Sequence, residues 1–179
     1  MEIKMGELQS AKPEPKIYVA CLAAYNSGIL HGAWIDANQD AWAIYDEISK
    51  MLRASPISDA EEFAIHDYDG FEGIRIEEYS CIDKVAELAG FVVEHGTLGA
   101  EIYCYYGSLD DARTAIEDQY AGQYVSLADF AQELTEDTNH IPETLHFYVD
   151  YERMARDMAI SDIIAIETGF EQVHVFWSR

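Results

Sequence analysis

The segment from Glu61 to Phe71, EEFAIHDYDGF, carries the residues most easily drawn as reactive. In it His66 stands beside Asp67, with Asp69 two places on. An imidazole next to carboxylates can move a proton or, with further donors, hold a divalent cation. The same residues have a plainer reading. Asp-x-Asp-Gly where a strand runs into a turn is ordinary turn chemistry, because Asp bonds its local backbone and Gly accepts positive φ. The remaining histidines, His31, His95, His140, His146 and His174, show no helical metal-ligand spacing. Cys21, Cys81 and Cys104 are odd in number, far apart and without a CxxC, the pattern of reduced thiols in a cytoplasm. There is no Gly-rich phosphate loop and no nucleophile elbow. Tyr103, Tyr105 and Tyr106 could stack on bases but lack the basic groove that such modules need, so packing is the reading. Asn26 and His31 beside Gly28 and Gly32 read as a hairpin loop before a ligand pocket.

The carboxylates are the stronger signal. The chain has 34 acidic and 11 basic residues in 179, a formal charge of −23. Between Val85 and Glu152 acids recur throughout, and Arg113 is the only Lys or Arg. An ordinary solvated face mixes signs and gains helix pairs of a few tenths of a kcal/mol. This one forgoes them and accepts the repulsion. Such a field repels nucleic acid and anionic membranes and attracts basic partners. Solubility and salt adaptation are the bland alternatives. Asp110, Asp111, Glu117 and Asp118 repeat after seven residues. On an α-helix that is about 10.5 Å, close to three phosphate steps of ~3.4 Å along a DNA strand. A homodimer would carry twice −23, or −46. Duplex DNA carries that charge in about 78 Å, at one charge per ~1.7 Å.

These residues need elements to place them. About half the residues are hydrophobic, so a core can form, and no run approaches the ~18 apolar residues of a membrane span. The start, 1–15, lacks a signal-peptide core and is expected to be a flexible tail ending at Pro13 and Pro15. Lys16 to Ala23 and Ile29 to Asp36 read as strands joined by a turn over Tyr25-Asn26-Ser27-Gly28. A helix follows, with Asp36 or Asn38 near its start, Ala41, Ile44, Tyr45, Ile48, Met51 and Leu52 on its apolar stripe, and Ser55-Pro56 at its end. A third strand holds Phe63 and Ile65 and closes at Asp69-Gly70. From Arg75 the period becomes helical, with Ile82, Val85, Leu88, Ala89, Val92 and Val93 in one stripe and Gly96 as the stop. TLGAEIYCYYG then reads as a further short helix.

Ser108 with Asp111, and Ser126 with Asp129, resemble capping boxes. The first helix is expected to bury Leu109, Ala112, Ile116 and Tyr120 until Gly122 breaks it. The second is expected to bury Leu127, Phe130, Ala131 and Leu134. Helical turns are expected after Pro142 and Asp150, then a hairpin turning at Thr168-Gly169. The fold class is α+β, as an elongated chain of small domains in series: an α+β unit over 16–73, a helical middle over 74–107, and an α+β unit over 108–179.

YNSGILHGAWIDA, EEFAIHDYDGF, FYVDYERMARDM and VHVFW, in this order, resemble motifs of the ArdA family of antirestriction proteins. The acidic stretch ARTAIEDQYAGQYVSLADFAQEL resembles that family's antirestriction motif. The likeness covers nearly all of Lys16 to Arg179. It implies a curved, elongated three-domain chain that dimerises and imitates bent B-form DNA. It implies inhibition of type I restriction-modification enzymes by filling the DNA groove of the methyltransferase core, and carriage on a mobile genetic element. It implies no catalytic residue, cofactor or metal, and no binding to nucleic acid or membrane. On this reading the DNA-mimicking surface comprises Glu61, Glu62, Asp67, Asp69, Glu72, Glu77, Glu78, Glu87, Glu94, Glu101, Asp110, Asp111, Glu117, Asp118, Asp129, Glu133 and Glu136. The family's dimer contact maps to Tyr120, Tyr124, Val125 and Phe130. The competing expectation is a small acidic enzyme or adaptor with its site at the His66-Asp67-Asp69 turn.

Overall fold

A computed structural model describes residues 12–178. The α+β class holds: helices alternate with two separate three-stranded antiparallel sheets. The chain divides into two compact units between Gly96 and Thr97.

In the first unit β1 (Lys16–Cys21) is central, flanked by β2 (Gly32–Asp36) and β3 (Phe63–Asp69). The first fifteen residues were expected as a flexible tail; of these, 1–11 lie outside the described residues. Pro15 is buried, and its carbonyl accepts from the Ala37 amide at 2.9 Å. The link between β1 and β2 is more than a turn. Leu22–Asn26 forms a short helix, α1, before Gly28 turns the chain at φ 75. Helix α2 (Ala41–Arg53) starts later than expected, with Asp40 at its N-cap position making no side-chain cap bond. Asp36 instead accepts the Asn38 amide at 2.8 Å, so the Asp-x-Asn chemistry makes a turn before the helix. Of the predicted stripe, Ile44, Ile48 and Met51 are buried from α2, Ala41 and Leu52 are half-buried, and Tyr45 is exposed.

Residues 71–81 are not helical. Ile74 and Ile76 are buried there, and Glu78 accepts the Ile65 amide along the outer edge of β3. The alternation of Ile74, Ile76 and exposed Arg75 is therefore that of an extended segment. Helix α3 (Ile82–Tyr106) buries the predicted stripe except Val93, which is half-buried. It is broken at Gly96, whose φ of 58 and ψ of −145 suit glycine alone, and resumes over TLGAEIYCYY as expected.

The second unit begins in that resumed helix and continues with α4 (Leu109–Thr114). Ser108 accepts the Asp111 amide, as the capping pattern requires. The helix expected through Tyr120 is shorter. It relaxes into a π turn (Ala115–Gln119), and Tyr120–Tyr124 is a strand, β4. Helix α5 (Leu127–Thr138) is capped by Ser126, which accepts the Asp129 amide at 3.2 Å. After Pro142 the chain makes only a 3-10 turn (Glu143–Tyr148) with no buried residue. Helix α6 (Tyr151–Ser161) follows, with Asp150 accepting the Arg153 amide. The hairpin pairs β5 (Ile163–Gly169) with β6 (Gln172–Trp177). Its turn is Phe170-Glu171 and not Thr168-Gly169, because Gly169 still pairs with Gln172 and Glu171 carries the positive φ of 55. The sheet order is β4-β6-β5. Phe130, Ile163, Val173 and Val175 form its core, with Tyr124, Leu127, Leu134 and Met158 packed against them.

Candidate functional site

His66 occupies a β-bulge. Tyr18 pairs with Asp67 and Val19 with Ile65, leaving His66 as the extra residue of β3. Its Nε2 lies 3.8 Å from Glu78 Oε1, and its ring meets Tyr25 edge-on at 4.7 Å. Asp67 accepts the Tyr68 amide at 2.8 Å, as a turn-forming Asp does. The partner of the imidazole is thus Glu78, well along the chain from Asp67 and Asp69, the carboxylates drawn beside it in sequence. The residue His66 shares an open cleft of about 530 Å³ with Tyr25, Tyr68, Arg75, Glu77 and Glu78. Among the described residues no group of three or more His, Cys, Asp or Glu could hold a metal ion.

The carboxylates are arranged differently. Every candidate is exposed, and no charged side chain is buried among the described residues. In the first unit they lie before β3 (Glu61, Glu62), on it (Asp67, Asp69), in the segment after it (Glu72, Glu77, Glu78) and on α3 (Glu87, Glu94). In the second they lie on α3 (Glu101), α4 (Asp110, Asp111), the π turn (Glu117, Asp118) and α5 (Asp129, Glu133, Glu136). The chain leaves the α-helix at Ala115, so the seven-residue repeat does not run along one straight α face. The wider winding shifts Glu117 and Asp118 in phase relative to Asp110 and Asp111. Some acids have cationic or imidazole neighbours: Arg75 with Glu77 at 3.1 Å, His95 with Glu94 at 3.8 Å and His146 with Glu136 at 4.0 Å.

Strand β4 carries two of the four residues mapped to a dimer contact. Tyr120 is 41% exposed, and its hydroxyl lies 2.8 Å from Nδ1 of His174, whose pKa is held below the ordinary histidine value by burial. Tyr124 is half-buried against Phe130, ring centroids 5.1 Å apart, and donates to Glu133 at 3.3 Å. Val125 is 56% exposed. Phe130 is 2% exposed and also meets Trp177 at 5.7 Å, so it is a core residue behind Tyr124. The edge strand escaped the sequence reading because Gly122 looked like a helix breaker. Tyr120, Tyr124 and Val125 were the available signal, as aromatic and β-branched residues favour strands.

Among the described residues no helix is long and apolar enough to cross a membrane. No curated protein matches the chain. A family model described as antirestriction protein (ArdA) matches residues 17–172. That span takes in the first sheet but for Lys16, the second sheet up to the start of β6, and every candidate carboxylate placed above, and the chain therefore belongs to the ArdA family of antirestriction proteins.

Proposed function

We propose that this protein inhibits type I restriction-modification enzymes by occupying the DNA groove of their methyltransferase core, its carboxylates standing where phosphates would lie. Family membership supports the antirestriction role. The observation that carries the mimicry is the exposure of every candidate carboxylate in a chain of charge −23. A groove rich in Lys and Arg gains from any rigid set of negative charges, and it relieves the repulsion that this surface bears when free. The reading includes a homodimer with β4 near its contact. Tyr120, Tyr124 and Val125 would face the partner, with Phe130 supporting them from the core. It also includes a cytoplasmic setting, carriage on a mobile element, a division into three domains, and no catalytic step or cofactor.

Competition tests it. Purified protein is titrated into a type I methyltransferase core bound to a labelled target duplex, at two salt concentrations. Near-stoichiometric displacement that weakens at high salt is the expected result. Absence of displacement at any ratio overturns groove occupancy. The enzyme alternative makes the opposite mutational forecast: Asp67→Asn alone would abolish activity, whereas mimicry predicts a graded loss spread over many acids.

A further inference from the structure

The reading above requires carboxylates that stay charged yet hold their places, and α5 shows how this is done. Asp129, Glu133 and Glu136 stand at i, i+4 and i+7, within about 60° of one helix face and about 6 Å and 4.5 Å apart along the axis. Each accepts from an uncharged donor. Ser126 Oγ donates to Asp129 Oδ2 at 2.6 Å. Tyr124 donates to Glu133 Oε1 at 3.3 Å. Gln132 Nε2 and the Tyr151 hydroxyl donate to Glu136 Oε1 at 2.9 and 3.5 Å. The same Glu136 oxygen lies 4.0 Å from His146 Nδ1, a contact that is ionic only when the imidazole is protonated. A Lys or Arg in these places would also fix the carboxylate, but would cancel its charge.

We infer that Tyr124, Gln132 and Tyr151 are positioning residues of the inhibitory surface, neutral donors that order the Glu133 and Glu136 carboxylates without neutralising them. The inference rests on the groove-occupancy reading. It accounts for hydroxyls drawn from three elements, β4, the α5 cap and α6, converging on one helix face. The Tyr124 and Tyr151 phenols are also harder to ionise than usual, through burial first and the neighbouring carboxylate second, which keeps them donors.

The test compares Tyr124→Phe, Tyr151→Phe and their double variant with the charge-removing pair Glu133→Gln/Glu136→Gln in the displacement titration. The phenylalanine variants keep net charge. Their affinity should fall about three- to tenfold in the double variant, with the slope of log affinity against log salt unchanged. The glutamine pair should lower both affinity and slope. Carboxyl 13C resonances of Glu133 and Glu136 in the full chain should move on Tyr→Phe substitution, independently of any target. Tyr151→Phe lies outside the stretch mapped to the dimer contact and separates positioning from assembly. Wild-type displacement by the double phenylalanine variant, beside weakening by the glutamine pair, overturns the inference alone. Unmoved carboxyl resonances overturn it as well. Failure of the unaltered protein to displace DNA overturns the groove reading, and the inference falls with it.

Discussion

Phe130 shows how one side chain serves both stability and the proposed surface. It fills the core between β6 and α5 and backs Tyr124, which in turn holds Glu133. Phe130→Ala should cost about 3–4 kcal/mol, read as a lower urea midpoint, because the cavity cannot fill from a rigid sheet. Gly122, at φ 140, has a Tyr124 ring atom 3.1 Å from where a Cβ would sit. Gly122→Ala should therefore destabilise by about 1–2 kcal/mol and disturb the Tyr124 ring, seen in thermal melts and in its ring resonances. His174 makes a pH prediction. Burial lowers its folded pKa below the unfolded value, so the folded state disfavours the imidazolium. That contribution is fully present above the unfolded pKa of about 6.5 and is lost as pH falls through it toward the folded value. Relief of carboxylate repulsion acts in the opposite direction over the same range. The measurement is therefore a difference: between pH 7 and 5, wild type minus His174→Gln should lose stability as pH falls.

At the scale of elements, α5 is built against its own stability. Its last turn holds Glu136 and Asp137 and no basic residue, although the helix C-terminus favours cations. Asp137→Asn should raise the melting temperature by about 1–3 °C in low salt while weakening DNA displacement. A stabilised variant with undiminished inhibition would show that this end of α5 does not face the target. Edge strand β4 has a comparable exposure. Among the described residues its outer side is unpaired in the sheet order β4-β6-β5, and Tyr120 and Val125 are exposed beside it. A second copy meeting this edge would satisfy backbone groups that otherwise depend on water.

For the whole molecule, the charge of −23 sets two salt responses of opposite sign. Added salt screens repulsion within the free chain, so the melting temperature should rise between about 10 and 200 mM NaCl. The same screening should weaken displacement of DNA from the methyltransferase core. Finding both trends in one preparation would tie the unneutralised acids to function, since a merely soluble surface predicts only the first.

Local features were legible in the sequence. Ser108, Ser126 and Asp150 cap where a short polar side chain precedes an apolar stripe, and Gly96 interrupts α3, because caps and breakers act within a few residues. The class of fold, the exposure of the acids and the likeness to an antirestriction family were equally readable. Strand β4, the π turn leading into it, the bulge at His66 and the Phe170-Glu171 turn were not. Each depends on register against a partner far along the chain, as Tyr124 opposite Val173 does. A Gly that breaks a helix and a Gly that bends a strand look alike until the partner strand is in place. The partners of the acids follow the same rule. Composition determined that most carboxylates lack a cation nearby in sequence, but only packing of β4, α5 and α6 brought hydroxyls to Glu133 and Glu136.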